Sequence, residues 1–127
     1  MANQRDRIIL FPRYTTFAGA MDFATVPINV TSYEAGDVVV WIGDVVGPIP
    51  PGPVVPFFEE STDQVRWTVC DGASPVPLAS GQETQFLPEL RKPWMRLRIS
   101  VGSGAGADPV VSCYAVGYLE RRKGASP

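Results

Sequence analysis

The segment WMRLRISV, residues 94–101, alternates apolar and polar side chains over its whole length. In an extended chain, one face of this segment carries Met95, Leu97, Ile99 and Val101. The other face carries Trp94, Arg96, Arg98 and Ser100. Such period-two patterning predicts a strand with one face on a core, and no long stretch of the chain has the 3.6-residue spacing of a helix. We therefore expect an all-β fold.

The same alternation recurs along the chain between turns rich in glycine, proline, aspartate and serine. It predicts about eight strands, over 8–17, 24–30, 38–45, 54–60, 64–70, 83–90, 94–101 and 109–122. We expect 33–37 to turn and 38–45 to be buried on both faces. The inward residues would be Val65, Trp67 and Val69 in the hairpin, and Val111, Cys113, Ala115 and Leu119 in the last strand. This pattern indicates an antiparallel β-sandwich or jelly roll.

The length of 127 residues suits a single domain, which we place over residues 1–127. The segment 47–56 is rich in proline and predicts an extended loop, because proline cannot donate to a strand ladder. The tail, residues 123–127, is expected to fray. No apolar run approaches the roughly 18 residues of a transmembrane helix.

Histidine is absent from the sequence, and lysine occurs only at positions 92 and 123. The absence of histidine removes imidazole acid–base catalysis, Ser-His and Cys-His nucleophile pairs, and histidine-containing zinc sites. An enzyme built on this chain would have to work with carboxylates, a lysine or a tyrosine. We therefore expect no catalytic residues, no metal and no cofactor.

Two cysteines, Cys70 and Cys113, could form one disulfide or remain two buried thiols. The N-terminal residues include charges but no continuous apolar stretch of the kind found in a signal peptide. The expected compartment is therefore reducing, which favours free thiols.

Charge is unevenly distributed, although the net charge is only −2. Residues 14–90 contain ten acidic residues and one basic residue, whereas 1–13 and 91–127 together contain ten basic and three acidic residues. Because the termini of a domain are often neighbours in space, a basic surface would then stand beside an acidic remainder. Such a molecule could dock on a copy of itself or on an acidic partner. The alternative is that these charges pair within the molecule.

The segment FFEESTDQVRWTV, residues 57–69, concentrates Glu59, Glu60 and Asp63. Adjacent Glu59 and Glu60 point to opposite faces of a strand, which does not suit two catalytic carboxyls about 5–9 Å apart across a sugar. The ligand spacing of a calcium loop is also missing. The four residues after Glu60 fit a turn better, because Ser, Thr and Asp side chains bond nearby backbone amides.

Three segments carry a resemblance to a known class of protein. They are the S-x-D-x-x-x-W pattern of Ser61, Asp63 and Trp67, the strand KPWMRLRIS, and the final apolar strand that ends near VGYLERR. Together they resemble small β-sandwich accessory proteins of tailed bacteriophage virions, which include head-decoration and tail-associated proteins. The resemblance implies a structural role in which several copies bind a shell or tube, often as trimers or rings, without a catalytic set.

The hairpin is also similar to one in discoidin-type carbohydrate-binding sandwiches, although Gln64 stands where that hairpin more usually carries glycine. A carbohydrate-binding β-sandwich module is therefore the alternative function. In that case exposed aromatic rings would stack on sugars, and the candidates are Trp41, Trp94, Tyr114 and Tyr118.

The favoured expectation is a non-enzymatic structural protein that self-assembles or decorates a larger protein particle such as a virion. Its partners would be copies of itself, in a homo-oligomer, and a capsid or tail protein, with no nucleic acid and no membrane. Its location would be the virion, or the cytoplasm before assembly. Three features select the contact residues: a strand face with Trp and Arg, which are enriched in protein interfaces, a proline-rich loop that could reach a neighbouring subunit, and the basic ends of the chain. The residues are Trp94, Arg96, Arg98, Pro50, Pro51, Pro53, Arg5, Arg7, Arg121 and Arg122.

Overall fold

The computed structural model describes residues 4–19, 21–46, 54–102 and 110–123. These residues form strands and loops, and none of them lies in a helix that could cross a membrane. The strands are β1 Arg5–Ala18, β2 Asp22–Ala24, β3 Ile28–Asn29, β4 Tyr33–Val46, β5 Val54–Ser61, β6 Thr68–Val69, β7 Glu83–Phe86, β8 Trp94–Val101 and β9 Val110–Arg121.

Two antiparallel sheets pack face to face around the core. The four-stranded sheet has the order β1-β9-β4-β7. The five-stranded sheet has the order β2-β8-β5-β6, and β3 also pairs with β8. Both sheets turn an apolar face inward, so that the core contains Val38, Val40 and Ile42 from β4 and Leu97 and Ile99 from β8. The prediction of an antiparallel β-sandwich is confirmed.

Alternation predicted the faces of β8 and β9 correctly. Met95, Leu97, Ile99 and Val101 are buried, and the intervening residues of β8 are half-buried on the outer face. Val111, Cys113, Ala115 and Leu119 of β9 are buried as well. Both strands lie inside their sheets, where a one-residue slip would expose every core side chain, and this fixes the register.

The predicted turn over 33–37 is wrong, because β4 begins at Tyr33 and pairs with β9 from that residue. Its glycine has another role. Gly36 is buried, and a Cβ at this position would lie 3.1 Å from Cγ of Pro88. The absent side chain therefore lets the loop after β7 approach β4 closely.

The predicted strand over 24–30 is divided into β2 and β3, which both pair with β8. Pro27 lies in the gap and has no N–H to donate. Thr25 keeps the chain on β8 instead: its N–H donates to the carbonyl of Leu97, and its Oγ1 accepts the N–H of Leu97, both at 3.0 Å.

Two predicted faces are also wrong. β4 is buried on one face only, because Val39 and Trp41 are half-exposed on the outer face. In 64–70, only Thr68–Val69 is a strand, Val65 is 78% exposed, and Cys70 rather than Val69 lies in the core. The turn after β5 continues through residue 66, so the alternation of this segment does not begin where the sequence pattern begins.

Both cysteines are buried free thiols, and they belong to opposite sides of the sandwich. Cys113 lies in β9, whereas Cys70 follows β6 and donates its backbone N–H to the carbonyl of Phe58. Burial raises the pKa of each thiol to about 12. The predicted contacts Pro50, Pro51 and Pro53, and the tail beyond residue 123, lie outside the described residues.

Candidate interaction surfaces

The predicted contact residues Trp94, Arg96 and Arg98 share the outer face of the five-stranded sheet. Glu59 of β5 lies between the two arginines and is only 6% exposed. Its Oε1 accepts hydrogen bonds from Nε of Arg96 at 3.0 Å and from Nε of Arg98 at 3.1 Å. Its Oε2 accepts a third from Nη2 of Arg98 at 3.2 Å. One carboxylate is thus shared by two guanidinium groups through charge-assisted bonds.

Aromatic rings cover these guanidinium groups. Cζ of Arg96 lies 4.3 Å from the centroid of Trp67, and Cζ of Arg98 lies 4.1 Å from the centroid of Phe57. The hydrogen bonds to Glu59 are the main cause that raises the pKa of Arg98. We call this set the arginine network: Phe57, Glu59, Trp67, Arg96 and Arg98. Its arginines have carboxylate partners within the molecule. For these residues, the structure agrees with the alternative that charges pair internally and do not dock on a partner.

Glu60 serves the loop that precedes β8. It is buried, and its Oε1 accepts the backbone N–H of Arg91 at 2.9 Å and of Lys92 at 3.1 Å. The two adjacent glutamates therefore hold different parts of the fold. Within the described residues, no group of three or more histidine, cysteine, aspartate or glutamate residues could hold a metal ion.

The predicted turn after β5 is present and is built by two side chains. Oδ1 of Asp63 accepts the N–H of Val65 at 2.8 Å and of Arg66 at 2.9 Å, and these bonds lower the pKa of Asp63. Oγ of Ser61 accepts the N–H of Gln64 at 2.9 Å. Gln64 has a φ of 61°, in the left-handed region that favours glycine. The acidic segment is therefore a turn and not a converging carboxylate site.

The outer face of the four-stranded sheet, which we call the four-stranded face, has an apolar row across its middle. Strand register places Ile9 of β1 beside Val116 of β9, Val116 beside Val39 of β4, and Val39 beside Gln85 of β7. Ile9 is 53% exposed, and Val39 and Val116 are half-buried. These three residues form the apolar row.

A second row on this face, the aromatic row, contains Arg13, Tyr114, Trp41 and Glu83. The rings of Trp41 and Tyr114 stack with centroids 5.2 Å apart and an interplanar angle of 17°. The guanidinium of Arg13, from the strand on the other side of β9, lies 5.2 Å from the centroid of Tyr114. The hydroxyl of Tyr114 donates to Oε2 of Glu83 at 2.7 Å, which raises the pKa of Tyr114. The four residues line a hollow of about 300 Å³.

On the other side of the apolar row, Tyr118 of β9 lies between Arg7 of β1 and Asp37 of β4. Tyr118 is 47% exposed, and all three residues line a second hollow of about 370 Å³. Nη1 of Arg5 approaches Oδ2 of Asp37 at 3.9 Å, a long and exposed contact that contributes little. Arg7 forms no ion pair with any residue that the structure describes.

Sequence reasoning placed Arg5 and Arg7 among the contact residues but missed the apolar row. The signal was present in β9, where Tyr114, Val116 and Tyr118 make the face opposite the core apolar or aromatic as well. The run 38–45 of β4 is also apolar on both sides, and it was predicted to be buried on both faces. In this sheet such runs indicate an apolar outer face instead.

The predicted contact residues at the end of β9 contact their own chain. Nη2 of Arg121 lies 2.7 Å from Oδ2 of Asp6. The guanidinium of Arg122 donates to the backbone carbonyls of Thr31 and Leu90, at 3.1 and 3.0 Å. These two arginines connect the end of β9 to β1 and to the loops that contain Thr31 and Leu90.

No protein-family model and no curated protein matches this chain. A solved structure of Bacillus endospore appendages, described as disulfide-linked pili, shares 13% identity, covers 95% of this chain and 90% of its own, and has a TM-score of 0.52. The SPBc2 prophage-derived protein YomS shares 11% identity over 91% of this chain and 96% of its own, with a TM-score of 0.46. A structure of infectious bursal disease virus, Gx strain, shares 14% identity over 96% of this chain and 37% of its own, with a TM-score of 0.47. At such identities, the likeness to the appendage protein shows a shared fold alone.

Proposed function

We propose that this protein is a non-enzymatic structural protein that self-assembles, or decorates a larger protein particle such as a virion, through its four-stranded face. The observation that carries the proposal is the apolar row, which lies between the aromatic row and Tyr118 and in which Ile9 is 53% exposed. An apolar and aromatic centre with a charged rim is the composition of a protein interface. Arg5 and Arg7, two of the contact residues expected from the sequence, belong to this rim.

The endospore appendage gives a precedent for this fold in a multi-copy assembly, since that protein forms pili. Those pili are disulfide-linked, whereas both cysteines of this chain are buried in the core. Assembly of this chain would therefore depend on non-covalent contacts. The resemblance of residues 57–122 to phage accessory proteins supports a virion as the particle, and with it a capsid or tail protein as the partner.

The arginine network supports a different role for Arg96 and Arg98. Each guanidinium already has a carboxylate and an aromatic ring as partners, so docking would have to compete with bonds inside the molecule. We propose that these residues mainly stabilise the sheet and that Trp94, at the start of β8, remains available for contact. The four-stranded face is the more suitable surface because Ile9 and Tyr118 are open to solvent.

The carbohydrate alternative needs an open aromatic ring. In the aromatic row, Trp41 stacks on Tyr114 and the guanidinium of Arg13 also lies against that ring, so a sugar would have to displace one of them to stack on Tyr114. A glycan array distinguishes the two functions: we expect no glycan bound above background, and binding abolished by Tyr118→Ala would favour the alternative.

The proposal predicts that Val116→Lys reduces self-association without unfolding the protein. The added charge lies in the apolar row, where it would be desolvated in an interface but reaches water in a monomer. Sedimentation velocity over a wide concentration range measures association, and circular dichroism checks the fold. Val65→Lys, on an exposed turn residue, is the matched control and should associate like the parent. A parent chain that stays monomeric and binds no shell or tube protein contradicts the proposal.

A further inference from the structure

We infer that two copies of this chain pack their four-stranded faces against each other about a two-fold axis that runs parallel to the strands. This inference rests on the proposed function and adds the partner, a second copy, and the geometry. It follows from the way charge is arranged across the face.

Charge changes sign from one edge of the four-stranded face to the other. Strand β1, at one edge, carries the basic residues Arg5, Arg7 and Arg13. Strands β4 and β7, on the other side of β9, carry the acidic residues Asp37 and Glu83, and Glu83 is on the edge strand β7. Between the two edges lie the apolar row and the stacked rings. The face is therefore complementary to a reversed copy of itself.

A two-fold axis parallel to the strands produces that reversal. It places β1 of one copy over β7 of the second and β9 over β4, while each row keeps its level along the strands. Arg13 then meets Glu83 of the second copy, and Val116 meets Val39 of the second copy. The aligned strands match a common packing of two sheets.

A two-fold axis in the same plane but perpendicular to the strands gives the opposite result. It keeps β1 over β1 and β7 over β7, so the basic edges face each other and the acidic edges face each other. Like charges opposed across an interface weaken association and exclude such partners. Charge thus selects the parallel axis.

The area of the face is comparable to that of a standard interface. Four strands about 4.8 Å apart and the 14 residues of β4, at about 3.3 Å each, give a face about 20 Å by 45 Å, or roughly 900 Å² in projection. A standard interface buries about 800 Å² per partner, so the face is large enough for a specific contact whose orientation the edge charges set. Because Arg5 already approaches Asp37 of its own copy, Arg13 and Glu83 are the pair to test.

The test exchanges these two charges. Arg13→Glu and Glu83→Arg, each alone, place like charges opposite each other at both edges of the interface. Each should raise the dissociation constant of the dimer about tenfold or more. An equimolar mixture of the two variants should form a heterodimer, because every pair is again of opposite sign. The double variant Arg13→Glu/Glu83→Arg should associate like the parent. Arg66→Glu, the same charge change on an exposed turn, is the control.

Sedimentation equilibrium at low salt measures the parent and these five samples, and thermal unfolding confirms that each is folded. If the parent associates but the single variants associate equally, or if the mixture associates no better than its components, the parallel axis is overturned while self-assembly stands. If the parent stays monomeric at the highest concentration, both the axis and the proposed self-assembly are overturned. Association restored by the mixture and by the double variant supports the axis.

Discussion

Gln64 adopts a backbone conformation that its side chain disfavours. Its φ of 61° follows from the turn in which Ser61 and Asp63 bind the next backbone amides. A non-glycine residue in the left-handed region loses about 1–2 kcal/mol relative to the right-handed one. In the similar hairpin of discoidin-type sandwiches, glycine is the more usual residue at this position.

We predict that Gln64→Gly stabilises the fold by about 0.5–1 kcal/mol, because relief of the left-handed strain exceeds the entropy that glycine adds to the unfolded chain. Urea unfolding measures the change. Thr62→Gly, in the same turn but without a positive φ, should instead lower the free energy of unfolding. Equal effects of the two glycines would contradict the prediction.

The two cysteines are protected by the core from reagents that attack thiolates. Because burial raises the pKa of Cys70 and Cys113 to about 12, less than one thiol in a thousand is ionised at pH 8. We predict no reaction with a disulfide reagent at pH 8 in the folded protein and two reacting thiols after denaturation. Because folding raises the pKa of both thiols, the stability gained by burying them in the neutral form is complete below pH 9. It is lost as pH rises towards 12. A thiol that reacts rapidly in the folded state would show that its strand opens locally.

At the scale of strands, alternation was sufficient for β8 and β9, whose regular pattern places one face on the core. The sequence pattern predicted a turn over 33–37 where β4 begins, because it took Gly36 for a turn residue. The role of Gly36 depends on Pro88, a residue distant in sequence. Alternation also failed at 64–70, where the length of the turn decides which residues face inward. The sequence predicted that Trp94, Arg96 and Arg98 share a face. The pairing of the two arginines with Glu59 depends on the register between β5 and β8, which the sequence does not give.

Two carboxylates contact the arginines of the network, Glu59 within it and Asp22 outside it, and we predict that they contribute unequally to stability. Glu59→Gln would leave two cations on neighbouring positions of one strand face without their shared anion, and we expect a loss of about 2 kcal/mol, reduced from the value for fully buried pairs because the arginines are partly exposed. Asp22→Asn, which removes an exposed partner of Arg98, should cost no more than about 0.5 kcal/mol. Urea unfolding of both variants compares them, and a larger loss for Asp22→Asn would contradict this assignment.

At the scale of the whole molecule, the uneven charge of the sequence is resolved in two ways. The C-terminal arginines mostly pair internally, as in Arg98 with Asp22 and Glu59 and Arg121 with Asp6. The N-terminal arginines stay on the rim of the four-stranded face, where Arg7 and Arg13 have no carboxylate within ion-pair distance among the described residues. The sequence therefore indicated that charge is segregated, but only the strand order shows which charges stay unpaired on the four-stranded face among the described residues.

This arrangement predicts opposite salt responses for the parent and for Arg13→Glu. In the parent dimer the edge charges attract, so raising ionic strength from about 0.05 to 0.5 M should weaken association as the Debye length shortens from about 14 to 4 Å. In Arg13→Glu the same edge repels, so screening should strengthen whatever association remains. Sedimentation equilibrium at several salt concentrations measures both slopes, and Arg66→Glu should keep the slope of the parent. If the association constants of the parent and of Arg13→Glu changed in the same direction with salt, the two copies would associate through the apolar row without a contribution from the charged edges. Charge would then set no preferred orientation of the second copy.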